Sequence, residues 1–134
     1  MDKIIILVLV GSFTTLLGAI GNHFLSKSLA RRNDYNQAVK EFINAFQEEL
    51  TRLKLDCPAV PIYNIIYPAR IKHGKASAIF RGHLKGCGLE KFKRAWNEYY
   101  VLTPTHPNKE KDKDDDIIFL CDKIEALLEF AKFK

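Results

Sequence analysis

The sequence predicts an all-α protein in which an N-terminal single transmembrane helix continues into a small cytoplasmic helical domain. Three observations lead to this prediction. Residues 4–25 form a stretch of 22 residues without a formal charge. Beyond it, apolar residues recur at steps of three or four, which is the period of an amphipathic helix. The β-branched segment 62–67 has no second segment with which to pair, so we expect a short helix or a packed turn there.

The uncharged stretch has the length of a membrane span. At about 1.5 Å per residue it would extend roughly 33 Å, against a hydrocarbon core of about 30 Å. We therefore predict a transmembrane anchor over residues 1–27. A cleavable signal peptide is the alternative, because Ala19 and Gly21 are small residues of the kind found before a cleavage site.

Charge placement favours the uncleaved anchor. Only Lys3 precedes the stretch, and the basic residues that follow it closely are Lys27, Arg31 and Arg32. The positive-inside bias then predicts an inner (cytoplasmic) membrane protein with a cytoplasmic C-terminal domain. Gly11, Thr15 and Ala19 lie four residues apart on one helix face and predict a helix-pairing surface in a possible homo-oligomer. The alternative is that such small residues are simply common in spanning helices.

The remaining chain divides by pattern into four segments. Residues 28–56 read as a juxtamembrane amphipathic helix, which Pro58 and Pro61 end. Residues 57–102 form a basic helical core segment, 103–116 a charged loop, and 117–134 a C-terminal helix. The large side chains that we expect in the core are Leu89, Phe92, Trp96, Tyr99 and Tyr100.

Residue types that could support chemistry are present without the spacing that chemistry needs. Cys57, His73, His83 and Cys87 are possible metal ligands, but they lack the tight pairs of structural zinc sites. No nucleophile signature or phosphate-binding loop occurs in the sequence, and the middle region contains only Glu90 and Glu98 as carboxylates for acid/base chemistry. We therefore expect neither an enzyme nor a cofactor or metal site. The three cysteines have no framework spacing, which argues against a disulfide-stapled secreted domain.

Positive charge is concentrated in the middle of the chain. Residues 57–102 contain eight Lys or Arg against two Glu, a net charge of +6. We predict a basic patch for contact with an anionic surface, formed by Arg70, Lys72, Lys75, Arg81, Lys85, Lys91, Lys93 and Arg94. It is either a solvated face, a surface that docks on membrane lipid of the inner leaflet, or a nucleic-acid surface. Nucleic acid is the least favoured, because the spacing of the aromatic residues predicts that they are buried.

Three groups of residues resemble a family of short uncharacterised bacterial proteins, some of them prophage-associated. The first group is Arg31, Arg32, Tyr35, Asn36, Ala38 and Phe42. The second is Lys72, His73, Ala76, Phe80, Arg81 and Leu84, and the third is Leu89, Phe92, Ala95, Trp96, Glu98 and Tyr99. The resemblance covers residues 31–100 and implies no activity.

The expected function is that of a membrane-tethered helical interaction module with an unknown protein partner. The alternatives are a membrane-active small toxin or pore-forming protein, and a membrane-anchored protein that binds nucleic acid.

Overall fold

The fold is built from helices alone. The computed structural model describes the backbone of residues 2–107 and 113–134 and the side chains of residues 15–107 and 113–134. Within these residues the helices are α1 (Asp2–Asp56), α2 (Ile62–Ile66), α3 (Arg70–Arg81), α4 (Gly86–Leu102) and α5 (Asp114–Leu128), with a 3-10 turn at Tyr67–Ala69. No strand occurs in the described parts of the chain, so the all-α prediction is confirmed. The β-branched segment forms the short helix α2.

The predicted transmembrane helix is wrong. Among the described residues, no helix combines the length and the apolar character that crossing a bilayer requires. The predicted single-pass inner-membrane location is corrected with it. The alternative of a membrane-active small toxin or pore-forming protein stays a prediction.

The chain divides into two compact units, Met1–Asp34 and Tyr35–Lys134. In the first unit every described side chain, from residue 15 to residue 34, is exposed. The second unit contains the hydrophobic core. Its end is tied to its beginning, because the backbone N–H of Lys134 donates to Asn36 Oδ1 at 2.9 Å and the Asn36 amide donates back to the Lys134 carbonyl at 3.1 Å.

Local chemistry explains where the helices of the second unit begin and end. Proline disfavours a helical conformation in the residue before it, and α1 ends at Asp56, just before Cys57 and Pro58. Pro61 lies immediately before α2. Asp114, Asp115 and Asp116 occupy the first turn of α5, where carboxylates interact favourably with the helix dipole.

The link between α3 and α4 is short, residues 82–85, as expected for antiparallel neighbours. Gly86, at the start of α4, has φ +60°, and it is the one described residue with a positive φ. Glycine adopts this conformation without the steric cost that a Cβ would impose.

Aromatic side chains dominate the core. Phe42 stacks on Phe80 with ring centroids 4.8 Å apart, and Phe92 contacts both rings edge-on. Of the large side chains predicted to be in the core, Phe92 and Tyr99 are buried, Leu89 and Trp96 are half-buried, and Tyr100 is exposed. The prediction is therefore wrong for Tyr100, which lies on the face of α4 that borders the groove described below.

Candidate functional site

A polar network is buried between α1, α3 and α4. Tyr99 Oη lies 2.6 Å from His73 Nδ1, and His73 Nε2 lies 3.2 Å from Glu49 Oε2. Lys72 Nζ donates to Glu49 Oε1 at 2.6 Å. The His73 ring is fully buried and stacks on Phe46, with ring centroids 4.1 Å apart. We call the buried residues Glu49, His73 and Tyr99, together with the exposed Lys72 that is paired with Glu49, the buried polar network.

The proton positions in this network follow from the pKa shifts of its members. Burial lowers the pKa of His73, so the ring is neutral, although the neighbouring Glu49 opposes this shift. Burial alone would raise the pKa of Glu49, but hydrogen bonds from Lys72 and His73 outweigh burial and lower it. Burial raises the pKa of Tyr99, and the Glu49 carboxylate acts in the same direction. Glu49 is therefore an anion that accepts from His73 Nε2, and the Tyr99 hydroxyl donates to His73 Nδ1.

This arrangement is suited to fixing helices rather than to catalysis. A general base must reach the proton that it removes, and His73 is 0 % and Tyr99 1 % exposed. The two residues belong to α3 and α4, and Glu49 belongs to α1. Directional hydrogen bonds thus fix three helices relative to one another.

A groove runs between α3 and α4 on the surface beside the network. One end is a cavity of about 510 Å³, lined by Tyr67, Pro68, Arg70, Ile71, Gly74 and Tyr100. The other end is a cavity of about 60 Å³, lined by Gly74, Ser77, Ala78, Arg81, Phe92 and Trp96. Because Gly74 borders both cavities, we treat them as one surface and call it the α3–α4 groove.

The lining of the α3–α4 groove combines apolar surface with unsatisfied polar groups. The Arg70 guanidinium lies 4.9 Å from the centroid of the Tyr100 ring and 6.0 Å from that of Tyr67. Arg70 Nε and Ser77 Oγ are buried and form no hydrogen bond within the described part of the chain. Buried polar atoms are almost always paired, so these two mark a position that a ligand could complete.

The predicted basic patch is exposed for the most part, but its members are not equivalent. Arg70 is half-buried and lies across Tyr100. Lys72 belongs to the buried polar network, and Lys93 lies 3.4 Å from Glu90. Those that are exposed and have no acidic partner within 4 Å among the described residues are Lys75, Arg81, Lys85, Lys91 and Arg94.

The predicted helix-pairing face is described only in part. Gly11 lies outside the residues whose side chains the structure describes, while Thr15 and Ala19 are exposed. Of the residues considered as possible metal ligands, His73 forms hydrogen bonds within the buried polar network, and His83 packs edge-on against Tyr35. Cys57, Cys87 and Cys121 form no disulfide with one another, and no group of three or more metal-ligating side chains occurs in the described residues.

Several residues of the site were not found from the sequence. Glu49 is not among the residues predicted from the sequence, yet it is only 5 % exposed. Gly74 and Ser77 are also absent from the residues predicted from the sequence. A signal was available in α3, where Gly74, Ser77 and Ala78 follow one another at steps of three and one and leave that side of the helix without a large side chain.

Comparisons with known proteins give no match: no family model, no curated protein and no solved structure is similar to this chain. The resemblance to short uncharacterised bacterial proteins therefore stays a prediction.

Proposed function

We propose that residues 35–134 form a non-catalytic interaction module that binds an acidic segment of a partner protein at the α3–α4 groove. One observation carries this proposal: the groove has an arginine at each end, Arg70 and Arg81, and apolar or small side chains between them. An acidic segment with apolar residues in its middle complements such a surface in both charge and polarity.

The charge around the groove supports the same partner. Lys75, Arg81 and Lys85 are exposed, and they have no acidic partner within 4 Å in the described residues. Unpaired surface cations attract an anionic partner over a distance of about one Debye length, roughly 8–10 Å, and raise the rate of association. They therefore add steering to a contact whose affinity comes from the apolar lining.

Two other anionic partners fit the surface less well. A flat lipid surface needs cations that project together, whereas Lys72 is bound to Glu49 and Arg70 lies across Tyr100. A single-stranded nucleic acid needs open aromatic faces for its bases. The guanidinium of Arg70 covers one face of Tyr100, and Tyr67 stacks on Tyr63 with centroids 4.7 Å apart.

The proposal is tested by measuring the binding of three fluorescent probes to the full chain at low and at high salt. The probes are a peptide rich in Glu and Leu, vesicles that contain anionic lipid, and single-stranded oligothymidylate. We expect the peptide to bind best. Arg81→Glu combined with Lys85→Glu should weaken its binding about tenfold, which corresponds to about 1.4 kcal/mol.

The matched control reverses Lys40 and Lys132, two exposed lysines outside the groove lining, and so changes the net charge equally. This control should bind the peptide as the wild type does. Equal loss in both double variants would mean that only net charge matters. Preferred binding of the vesicles or of the oligothymidylate would replace the proposed partner with that class.

A further inference from the structure

The α3–α4 groove is about as long as a short helix. Its two arginines, Arg70 and Arg81, are eleven positions apart on α3, which corresponds to about 16 Å along the helix axis. On the other side, Phe92, Trp96 and Tyr100 follow one another at steps of four along α4. Two antiparallel helices with such a depression between them can receive a third helix, which packs against both.

Gly74 keeps the floor of the groove open, and the fold does not need a glycine there. Gly74 lies inside α3, and a Cβ added to it would have no atom within 4 Å. Its φ is not positive, because the only positive φ among the described glycines is that of Gly86. Since glycine weakens a helix interior relative to alanine, its presence is explained better by something that approaches from outside.

Two buried polar atoms of residues that line the groove have no hydrogen bond among the described residues. Ser77 is 4 % exposed, borders the smaller cavity, and its Oγ has no hydrogen bond in the described residues. Arg70 Nε is buried and equally unpaired, and it can only donate. A ligand that fits both must bring oxygen acceptors, such as carboxylate or amide oxygens.

From these observations we infer that the α3–α4 groove is a receptor for an amphipathic, acidic α-helix of a partner protein. The helix lies along Gly74 and Ala78, places apolar residues at positions i, i+4 and i+7 against the groove, and carries carboxylates toward Arg70 and Arg81. This inference rests on the proposed function and specifies the form of its partner. Phosphate groups would meet the arginines equally well, but a nucleic-acid backbone leaves the apolar stretch between them without a counterpart.

The experiment selects helix-forming peptides from a randomised display library on the full chain, with no assumption about their sequence. We expect the enriched peptides to share apolar residues at helical spacing with acidic residues toward both ends. Gly74→Leu should weaken their binding about tenfold or more, because the leucine side chain occupies the open floor. Gly88→Leu is the matched control, since Gly88 lies in α4 outside the groove lining and has equally open space around an added Cβ.

Two further variants keep the test independent of any folding defect in Gly74→Leu. Ala78→Leu fills the same groove from an exposed position. Ser77→Ala removes a buried unpaired hydroxyl, so the free protein should melt at the same or a higher temperature while the peptides bind several-fold more weakly. A purely structural role for Ser77 would not give these opposite effects.

The possible outcomes separate this inference from the proposed function. If Arg81→Glu with Lys85→Glu, Gly74→Leu and Ala78→Leu all weaken binding, but a proline placed in the middle of the enriched peptides to break their helix does not, the groove binds an acidic segment that is not helical and only this inference is wrong. If Arg81→Glu with Lys85→Glu abolishes peptide binding but Gly74→Leu and Ala78→Leu do not, the groove is not the receptor and both proposals are wrong. If none of these variants affects binding, both proposals are wrong. An absence of enriched peptides, or enrichment of peptides without acidic residues, would also overturn the inference.

Discussion

Replacing Tyr99 by phenylalanine removes one hydroxyl from the buried polar network and leaves the ring in place. Tyr99 is 1 % exposed and His73 is 0 % exposed, so no water can replace the lost hydrogen bond without opening the core. The variant leaves His73 Nδ1 as a buried acceptor without a donor, which costs about 1–3 kcal/mol. For a domain of this size, about 2 kcal/mol corresponds to a fall of roughly 8–16 °C in the melting temperature.

Thermal unfolding of Tyr99→Phe, followed by circular dichroism at neutral pH, measures this cost. The matched control is Tyr100→Phe, which removes a hydroxyl from the next residue of the same helix, where the side chain is 47 % exposed. We expect the melting temperature of the control to stay close to that of the wild type. Equal melting temperatures for the two variants would refute the assignment of the Tyr99 hydroxyl as the donor to His73.

Three further predictions concern the core, acid stability and one turn. Phe46→Ala should destabilise the fold by about 3–5 kcal/mol in urea unfolding, because the ring is fully buried against His73. The free energy of unfolding should decline as the pH falls below 6.5, the ordinary pKa of histidine, because folding favours the neutral His73 ring. Glu49, whose pKa is also lowered, should add to this loss below pH 4.5. His73→Gln should remove the loss that begins at pH 6.5. Gly86→Ala should cost about 1–2 kcal/mol because of its φ of +60°, whereas Gly88→Ala should be neutral or stabilising; equal effects would contradict this reading.

The helices could be predicted because their signals are local. Steps of three or four between apolar residues locate α3, α4 and α5, and prolines locate the end of α1. The transmembrane prediction is wrong because it rested on the absence of formal charge over residues 4–25, which is a weaker condition than the apolar character that a bilayer requires.

The site could be predicted only in part, because it depends on contacts between distant segments. Glu49 and His73 are 24 positions apart, and His73 and Tyr99 are 26 apart. Nothing in the sequence near Glu49 indicates that its carboxylate is buried, since Lys72, the cation that stabilises it, comes from α3. The sequence identifies the basic residues, but only the structure shows that Lys72 is paired with Glu49 while Arg81 has no acidic partner within 4 Å among the described residues.

The buried polar network and the α3–α4 groove are connected through neighbouring residues of the same helices. His73 precedes Gly74 on α3, and Tyr99 precedes Tyr100 on α4. Successive residues of a helix point about 100° apart, so the residue that faces the core and its neighbour that faces the groove move together. Apolar contacts have little directionality and alone would let two helices slide past each other. The 2.6 Å hydrogen bond between Tyr99 and His73 is directional and opposes such sliding. The network therefore sets the rotation of α3 and α4, and with it the width of the groove between Gly74 and Tyr100.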